Sequence, residues 1–417
     1  MTERLPADLS SSKSVRLFYA VGDFFPPWRL DVDELFSRQL PAQGLALTWA
    51  ARRQTAGPCR TENYNGRPVW LPWRVAVGGT LGKALNKLLQ YACELLFFFR
   101  LLLGPGFDIV QARDRRYFFA FLLVAVARLR GWRFVYWSSY PFPEATRETA
   151  LSRRGVSRAL LLLAHWFEWG YVYRFLMRAA DHVFVQSEQM RRDVAAYGIP
   201  EQKMTPVPMG VPPELMNWRK HHPDVETVAG RVVYVGTLVR VRRLATMIES
   251  FALVHQRMPH ARFVVVGDGV KPGERRELEE LAQRLGIADV VTFTGFVPMD
   301  EAWGWAASAE ICVSPFYPTF ELRSTSPTKL VEYMALGRPV VVNDHPEQAD
   351  VIGKTGAGIC VEWGAAHFAE AITRLLGDPA LARAMGSAGP AWVAEHRTYD
   401  KVAEEVAKRY RGILDHA

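Results

Sequence analysis

The stretch from which we predict the fold reads TFELRSTSPTKLVEYMALGRPVVV, residues 319–342. A polar loop, residues 324–327, leads into Thr328–Ala335, whose apolar spacing predicts a helix. Pro327 suits a helix start because its missing N–H would be unpaired there, and Gly337 ends the helix. The apolar run Pro339–Val342 then predicts a buried strand. A helix followed by a buried strand is typical of parallel α/β sheets.

The second half of the chain repeats this alternation. We predict strands at Arg231–Val235, Arg262–Val266, Val290–Thr294, Ile311–Val313, Pro339–Val342 and Gly358–Val361. Helices are predicted at Leu244–Arg257, Arg275–Leu285 and Thr328–Ala335. Such a pattern predicts a parallel sheet with helices on both faces.

The first half has the same pattern in a less regular form. We predict strands at Val15–Val21, Leu45–Ala50, Phe107–Gln111, Trp132–Trp137 and Asp181–Ser187, and helices at Asp31–Leu40 and Tyr117–Leu129. The predicted fold class is α/β, with two Rossmann-like, doubly wound parallel-sheet domains facing across a cleft. Ligands of such sheets bind beyond the carboxyl ends of the strands.

The length of 417 residues is too great for one core. A segment rich in proline and polar residues lies between the halves and predicts a linker. We therefore predict an N-terminal Rossmann-like domain at 1–212, a linker at 213–228 and a C-terminal Rossmann-like domain at 229–395. Residues 396–417 are predicted to form a helix that packs back on the N-terminal domain.

Charge and cysteine content narrow the function classes. The net charge is +8, from 51 Lys and Arg against 43 Asp and Glu, which fits anionic substrates or an anionic membrane face. No nucleic-acid-binding signature accompanies it. The four cysteines lack metal or disulfide spacing, and Cys312 and Cys360 lie in apolar runs, where we expect buried thiols. Because the first residues are also polar, we expect a cytoplasmic protein.

The loop before the predicted helix has the chemistry of an anion site. Its amides and hydroxyls, at Ser324, Thr325 and Ser326, stand at a helix N-terminus, which favours phosphate. Lys329 places a cation where the helix dipole disfavours one, which indicates an anionic ligand. Glu332, one turn later, can accept hydrogen bonds from both hydroxyls of a ribose. The alternative is a capped structural helix with solvated charges.

This segment resembles the nucleotide-sugar motif of the GT-B glycosyltransferases of family GT4, in the branch with Ser-Pro-x-Lys before the final Glu-Tyr. The resemblance implies that Glu332 binds the ribose, and that Thr328, Lys329 and Leu330 contribute to the donor site. The family's first glutamate falls at Ser324. Glu321, three residues out of register, is the candidate to replace its contacts with the sugar.

A second segment, Val232–Leu244, is similar to the family's phosphate loop. Gly236 ends a strand, Thr237 stands where relatives carry arginine, and Arg242 stands where they carry lysine. Three arginines, at positions 240, 242 and 243, can grip a diphosphate through their guanidinium groups. The alternative is a solvated basic helix start.

A third segment, Phe263–Gly269, ends in a Gly-Asp-Gly turn that in the family borders the nucleotide base. The resemblance thereby assigns Gly267, Asp268 and Gly269 to the donor site. Two further segments, 291–297 and 309–315, follow in the family's order, so the resemblance covers about residues 228–395.

The N-terminal half matches the family weakly. Where many relatives carry a histidine after a central strand, this chain has Ser138 and Ser139, followed by Glu144. These are candidate catalytic residues of the cleft, or side chains that cap an ordinary loop. The ten histidines do not cluster, and His345 is expected at the surface. No metal is predicted.

Two stretches of the N-terminal half combine basic and aromatic residues, Leu81–Leu103 and Arg153–Arg178. Neither has the uninterrupted apolar length needed to cross a bilayer. Such a pattern is typical of a helix lying in the membrane interface. A buried helix of the N-terminal domain, which the resemblance implies is the acceptor-binding domain, is the alternative.

The predicted function is transfer of a sugar from a nucleotide-sugar donor to a glycan or lipid-linked acceptor, in cell-surface polysaccharide or glycolipid assembly. The resemblance implies retention of anomeric configuration, with no cofactor besides the donor co-substrate. Peripheral contact with the inner membrane face is expected, and no nucleic acid is. Alternatives are a sugar-nucleotide epimerase, a non-catalytic partner subunit of the same fold, and an inverting transferase with Glu144 or Asp114 as base.

Overall fold

The computed structural model describes residues 14–27, 29–114 and 117–415. The polar segment 1–13, on which the absence of a signal peptide was predicted, lies outside the described residues. The chain forms two compact units, one made of Met1–Val185, Val194–Thr205 and Ala403–Ala417, the other of Gln186–Asp193 and Pro206–Val402. We call them the N-terminal and the C-terminal unit.

The N-terminal unit contains an eight-stranded sheet with the order β3-β4-β2-β1-β5-β6-β7-β8. The central pairs, β1 with β2 and β5, are parallel. The strands are β1 (Val15–Phe25), β2 (Leu45–Arg53), β3 (Arg60–Tyr64), β4 (Arg67–Leu71), β5 (Ile109–Arg113), β6 (Arg133–Ser138), β7 (His182–Val185) and β8 (Met204–Pro206).

One edge of this sheet departs from the prediction of a parallel sheet. Strands β3 and β4 pair antiparallel, with Tyr64 opposite Arg67. The two residues between them, Asn65 and Gly66, both have positive φ, at 48° and 75°. Asn-Gly with this backbone is the favoured two-residue hairpin turn. The sequence contained that signal, and the prediction missed it.

The C-terminal unit contains a six-stranded sheet with the order β11-β10-β9-β12-β13-β14. All five pairs of neighbouring strands in this sheet are parallel. The strands are β9 (Arg231–Val235), β10 (Arg262–Val266), β11 (Val291–Gly295), β12 (Ile311–Ser314), β13 (Val340–Asn343) and β14 (Gly358–Val361). All six strands predicted in this half are confirmed, to within one residue at each end.

Successive side chains of β9 point to opposite faces of the sheet, and each face packs into its own hydrophobic core, as in a doubly wound sheet. Val232 and Tyr234 pack with Phe251 and Ile372 on one face. Val233 lies on the other face, in a core that is completed by the helix carrying the predicted anion site. The fold is therefore two Rossmann-like α/β domains, as predicted.

The helices are listed here in chain order. The α-helices are α1 (Leu40–Ala42), α2 (Gly79–Leu103), α3 (Tyr117–Arg130), α4 (Phe142–Leu151), α5 (Gly155–Trp169), α6 (Met177–Ala179), α7 (Glu188–Ala195), α8 (Trp218–His221), α9 (Ala245–Arg257), α10 (Glu274–Arg284), α11 (Met299–Ala307), α12 (Phe320–Arg323), α13 (Thr328–Ala335), α14 (Pro346–Thr355), α15 (Ala365–Gly377), α16 (Pro379–His396) and α17 (Tyr399–Asp415). Asp31–Gln39 and Gly170–Leu176 are π-helical, and Glu201–Lys203, Pro213–Asn217, Arg240–Arg242 and Ala288–Val290 are 3₁₀ turns.

The last part of α17 belongs to the N-terminal unit. The buried Tyr410 donates a hydrogen bond from its hydroxyl to Oε1 of Gln111, on β5, at 2.5 Å. Arg411, the next residue, donates to the main-chain carbonyl of Gln43. Residues late in the chain therefore complete a core built mainly from its first half.

Candidate functional site

Helix α13 is fixed to the carboxyl end of β9. The hydroxyl of buried Tyr333 accepts a hydrogen bond from the main-chain N–H of Val235 at 2.8 Å. Leu330 and Val331 lie in the core, so the side chain of Leu330 cannot meet a ligand and its contribution is limited to the main chain. The half-buried Thr328 begins the helix. This anchoring holds the first turn of α13 beside the end of the central strand.

Lys329 is the most unusual side chain of this turn, because it is buried to 8% exposure without an anionic partner. Its Nζ lies 5.4 Å from the ring centre of Tyr234 and 5.2 Å from that of Phe316. Within the described residues, no carboxylate pairs with Nζ and no acceptor bonds it. Burial, and then the nearby Arg242, lower the pKa of Lys329 well below its ordinary value, and the attraction of Glu332 one turn later offsets this only in part.

Gly236 separates the two cations. A Cβ atom added to Gly236 would lie 2.9 Å from Nη1 of Arg242 and 3.3 Å from Nζ of Lys329. Its φ of +148° also favours glycine. Arg242 is held in place by donating from Nη1 to the hydroxyl of Tyr234 at 3.0 Å. Two cations thus share the end of β9, and an anion there would relieve their repulsion.

The Gly-Asp-Gly turn lies against the same strand end. A Cβ atom on Gly267 would be 2.2 Å from the carbonyl oxygen of Gly236, so only glycine permits this approach. The carboxylate of Asp268 accepts from the N–H of Gly269 at 2.7 Å. Leu238 donates its N–H to the Asp268 carbonyl at 2.9 Å. The two predicted donor loops are therefore joined by main-chain contacts.

Thr237 contributes its main chain to this junction. Its carbonyl accepts from the Tyr234 hydroxyl at 3.3 Å. The three neighbouring arginines, expected to act together, are separated by the structure. Arg240 is paired with Glu277 on α10, and Arg243 lies 4.8 Å over the ring of Tyr317. Arg242 alone of the three reaches the end of β9.

Glu332 is buried one turn after Lys329. Nε1 of Trp303 lies 3.5 Å from Oε1 of Glu332. Burial raises the pKa of Glu332, against the lowering effects of Trp303 and Lys329. A carboxylate in this state gains from further hydrogen-bond donors, such as a pair of hydroxyls.

The hydroxyls of the loop before α13 point into the protein. Ser324 donates to Asp193 at 2.7 Å, and Ser326 donates to Glu347 at 2.6 Å. Thr325 donates to a main-chain carbonyl three residues earlier, at 2.7 Å. The loop therefore offers a ligand its main-chain N–H groups, while its side chains are held by protein contacts.

Two more predicted residues of this unit are buried. Glu321 lies on the short helix α12 and is buried, with 7% of its surface exposed. His345, expected at the surface, is instead buried, with Nε2 2.9 Å from the carbonyl oxygen of Leu322. Burial lowers its pKa. The expectation of a surface histidine was wrong, because the ring is held inside by that contact and by the ring of Phe316, whose centre lies 5.1 Å away.

In the N-terminal unit, the candidates follow β6. Ser138 is the last residue of that strand and is buried. Ser139 donates its hydroxyl to Asp114 at 2.6 Å, so it does cap a loop. Glu144 is buried in the first turn of α4, and its Oε2 accepts from the hydroxyl of Tyr173 at 2.8 Å. Burial raises the pKa of Glu144.

A buried charge cluster near these residues was not predicted. Arg113 is fully buried, pairs with Asp31, and donates to the Tyr19 hydroxyl at 3.2 Å and to Asp114 at 3.3 Å. Asp114 has a φ of 52°, rare for a residue other than glycine. Burial would raise the pKa of Asp31, but Arg113 and Arg29 bring it well below its ordinary value. The sequence signal for this cluster was the pair of charged residues Arg113 and Asp114 at the end of the buried strand β5.

The prediction of no metal was based on finding no Asp-x-Asp or His-x-Glu spacing, but the sequence contains one of each. One is Asp31 with Asp33, the other His345 with Glu347. Asp33 accepts hydrogen bonds from Ser37 and a tyrosine hydroxyl at 2.9 and 2.7 Å. Among the described residues, no three His, Cys, Asp or Glu side chains are grouped to hold a metal ion.

Comparison with known families matches both halves of the chain. A family model described as "Glycosyl transferases group 1" matches residues 229–378. A model described as "Glycosyltransferase Family 4" matches residues 34–215. The two matched ranges include all the predicted site residues.

Two curated relatives each match less than half of the chain. A GDP-mannose-dependent alpha-(1-6)-phosphatidylinositol monomannoside mannosyltransferase of Mycobacterium tuberculosis is 29% identical over 184 residues, 43% of this chain and 47% of the relative. Alpha-D-kanosaminyltransferase of Streptomyces kanamyceticus is 28% identical, over 44% of this chain and 45% of the relative. The matched stretch thus spans about half the length of these relatives.

Solved structures match almost the whole chain. Sucrose-phosphate synthase from Thermosynechococcus elongatus superposes with a TM-score of 0.71 at 17% identity, covering 96% of this chain and 100% of that one. Anabaena HepE in complex with UDP-glucose superposes with a TM-score of 0.66 at 14% identity, covering 95% and 99%. At such identities the likeness concerns the fold.

Proposed function

We propose, on the premise that this chain belongs to the GT-B glycosyltransferases of family GT4, that it transfers a sugar from a nucleotide-sugar donor to a glycan or lipid-linked acceptor. The observation that carries the proposal is the pair of cations at the end of β9, Lys329 and Arg242, of which Lys329 is buried without a counter-ion in the described chain. A donor diphosphate is an anion of the right chemistry for that place.

The donor site is built around these two side chains. Lys329 and Arg242 bind the diphosphate, together with main-chain N–H groups of the first turn of α13. Glu332 binds the ribose hydroxyls, and the Gly267–Gly269 turn borders the base. During transfer the diphosphate leaves with negative charge, and cations fixed beforehand stabilise that charge as it develops. Stabilisation of the diphosphate charge explains why a lysine is buried here although its burial destabilises the unliganded protein.

The reaction retains the anomeric configuration and requires no metal or cofactor besides the donor. Glu321 contacts the sugar hydroxyls in place of the family's first glutamate. Ser138 and Glu144 act on the acceptor side. In an inverting variant of the mechanism Glu144 is the stronger candidate for the base, because Asp114 is already held by Arg113 and Ser139 while Oε1 of Glu144 has no hydrogen-bond partner among the described residues.

The acceptor is a lipid-linked or membrane-borne glycan, and the protein works as a peripheral protein at the inner membrane face, in cell-surface polysaccharide or glycolipid assembly. A relative that acts on a phosphatidylinositol monomannoside supports this acceptor class. In the described part of the chain no helix is both long and apolar enough to cross a bilayer. The contact we propose is therefore with the membrane surface.

The test is a screen of nucleotide sugars for thermal stabilisation of the purified chain, followed by transfer to membrane lipid extracts. We expect one donor to raise the melting temperature and to label a lipid-extractable product whose anomeric configuration matches the donor. Glu332→Gln should reduce the stabilisation by that donor, since it weakens the ribose contact, and Glu362→Gln, an exposed glutamate on the same unit, should not.

Other outcomes identify the alternatives. Conversion of the donor without any acceptor would indicate an epimerase. Absence of stabilisation by every nucleotide would indicate a non-catalytic partner subunit and would contradict the proposed donor site.

A further inference from the structure

Helix α2 exposes an apolar stripe along its whole length. It has 25 residues, about 37 Å at the usual rise, and its solvent face carries large apolar side chains in successive turns. Leu81 is 80% exposed, Leu88 is 65% exposed and Leu103 is 81% exposed. The remaining members of the stripe are Leu85, Leu95, Leu96 and Phe99. Contiguous exposed apolar surface of this kind indicates an interaction site.

Helix α5 repeats the feature and adds charge. Val156, Leu160, Leu163 and Phe167 follow one another at helical spacing, and each is at least 62% exposed. The arginines at positions 153, 154 and 158 are exposed around the start of the same helix. Its one buried residue is His165. A buried helix, one alternative from the sequence, is therefore wrong for α5.

A groove of about 770 Å³ lies within the N-terminal unit where α2, α3 and α5 approach one another. Residues of all three helices line it, including Tyr91, Phe118 and Glu168. The rings of Tyr91 and Phe118 are 5.0 Å apart and connect α2 to α3. Phe118 is itself 39% exposed, so the groove opens onto the apolar surface of these helices.

Four cations line the groove, against two carboxylates. The guanidinium groups of Arg52 and Arg74 lie over the same Phe24 ring, at 4.4 and 5.9 Å from its centre. Lys83 and Lys87 are exposed on consecutive turns of α2. Neither lysine is paired with a carboxylate among the residues described. The groove therefore has an excess of positive charge.

The basic wall of the groove is held by the protein itself. The loop before α2 is clamped by Asn86, whose Oδ1 accepts from the Val75 N–H at 2.8 Å and whose Nδ2 donates to the Val75 carbonyl at 3.1 Å. The two carboxylates are also fixed, since Glu94 accepts from Gln90 at 2.9 Å and Glu168 from a threonine hydroxyl at 2.7 Å. Because these side chains are already held in place, a ligand would lose little free energy in ordering them, which favours binding.

We propose that this groove binds the phosphate-bearing head group of a membrane lipid, while the apolar stripes of α2 and α5 enter the acyl layer around it. Cations beside exposed leucine and phenylalanine match a surface whose anionic layer borders hydrocarbon. That the bound lipid is the sugar acceptor rests on the proposed function. Binding of an anionic membrane by the groove and the stripes does not depend on the proposed sugar transfer.

A second copy of this chain fits the surface less well. A dimer through α2 would bring Lys83 and Lys87 of both copies close to one interface, where like charges repel. An anionic lipid layer neutralises them instead. Charge thus favours the membrane over self-association.

The experiment measures partition of the full chain onto vesicles of phosphatidylglycerol and of phosphatidylcholine, without donor. We expect binding to the anionic vesicles that weakens with salt, and much weaker binding to the zwitterionic ones. Lys83→Gln with Lys87→Gln should lower the partition coefficient about thirtyfold, from about fivefold per cation near an anionic surface. Leu81→Ser with Leu88→Ser should lower it at least tenfold.

The matched control neutralises two exposed lysines elsewhere, Lys220 and Lys408, by the same change to glutamine. It should alter partition less than threefold. An equal loss of partition in both lysine variants would show that the effect depends on net charge alone, and would contradict binding in the groove. Melting temperatures of all variants should stay close to the parent's, because the replaced side chains are exposed. If soluble glycerol phosphate displaces the protein from vesicles as effectively as competing vesicles do, the site binds free phosphate, which would contradict a lipid ligand.

Light scattering of the leucine variant provides a further check. Conversion of a dimer to a monomer, with vesicle binding unchanged, would show that the stripe is a self-interface and would contradict the proposal. Donor binding is read separately, by thermal stabilisation without vesicles. Vesicle binding with no nucleotide binding would contradict the proposed sugar transfer alone. Nucleotide binding with no vesicle binding would contradict this inference, and with it the proposed membrane contact, and would leave the proposed donor site standing.

Discussion

Replacing Lys329 with methionine removes a buried positive charge and keeps most of the volume of the side chain. The rings of Tyr234 and Phe316, which Lys329 now touches through its ammonium group, would contact a thioether instead. The variant therefore separates the effect of charge from that of packing.

The structure sets the size of the effect on stability. Nζ of Lys329 and Nη1 of Arg242 lie within 3.3 and 2.9 Å of the same point. Two unit charges about 6 Å apart repel by roughly 3 kcal/mol at an effective dielectric constant of about 20. Removing one charge should stabilise the unliganded fold by about 1–3 kcal/mol. For a domain of this size each kcal/mol raises the melting temperature by about 2–4 °C.

The pH dependence follows from the lowered pKa of Lys329. A lysine whose pKa is lower in the folded than in the unfolded state costs stability in full below the folded pKa. That cost disappears as pH rises toward the unfolded value, about 10.4. The stabilisation by methionine should thus be largest at low pH and vanish at high pH.

Donor binding should change in the opposite direction. A hydrogen bond to a charged group contributes about 1.5–3 kcal/mol, so loss of the ammonium should weaken binding of a nucleoside diphosphate about 10- to 150-fold. Titration calorimetry measures this affinity, and thermal unfolding measured between about pH 6 and 10 gives the stability. Lys354→Met, at an exposed lysine paired with Asp350 at 2.7 Å, is the matched control and should change neither quantity.

Two results would refute this reasoning about Lys329. One is nucleotide affinity within twofold of the parent, which would remove the ammonium from the donor site. The other is a fall in melting temperature at every pH, which would mean that the ammonium has an anionic partner in the unliganded protein.

Further predictions concern the two sheets. Gly267→Ala places a Cβ atom 2.2 Å from a main-chain oxygen of the neighbouring strand, so it should destabilise the C-terminal unit by more than about 3 kcal/mol. Gly273→Ala, also at positive φ but in open space, should cost about 1 kcal/mol in the same denaturant titration; equal losses would contradict the clash. Arg113→Met leaves the buried Asp31 with Arg29 as its remaining cationic partner and should cost at most about 3–5 kcal/mol at neutral pH, whereas Arg16→Met, in an exposed pair, should cost less than about 1 kcal/mol. Because the folded pKa of Asp31 is lowered, its share of stability is present at neutral pH and lost as pH falls; an unchanged difference between parent and Arg113→Met near pH 2 would contradict the pairing.

The C-terminal sheet could be predicted from sequence because its strands are short apolar runs buried on both faces. The bounds of β9, β10 and β14 are those predicted. Burial of individual residues on them was less predictable. Cys312, on the inner strand β12, is buried as expected, but the expectation for Cys360 was wrong, since it is exposed. Cys360 lies on β14, the edge strand of the sheet, which has one neighbour instead of two.

The candidate site was predictable where its residues are close in the chain. Lys329 and Glu332 are one helical turn apart, so a single segment indicated both. The cluster of Arg113 and Asp31 joins residues 82 positions apart, and no local pattern connects them. The hydrogen-bond partners of the Ser324 and Ser326 hydroxyls likewise lie far away in the sequence, so no local motif indicates them.

The return of α17 to the first unit has a consequence for how the protein is made. Residues 403–417 supply the buried Tyr410 and its bond to Gln111, yet they are translated after the whole second sheet. Domains generally fold in the order of synthesis. Here the ribosome must deliver the second sheet before the first can close its core, so the nascent first half waits with its core incomplete and depends on the late segment to finish.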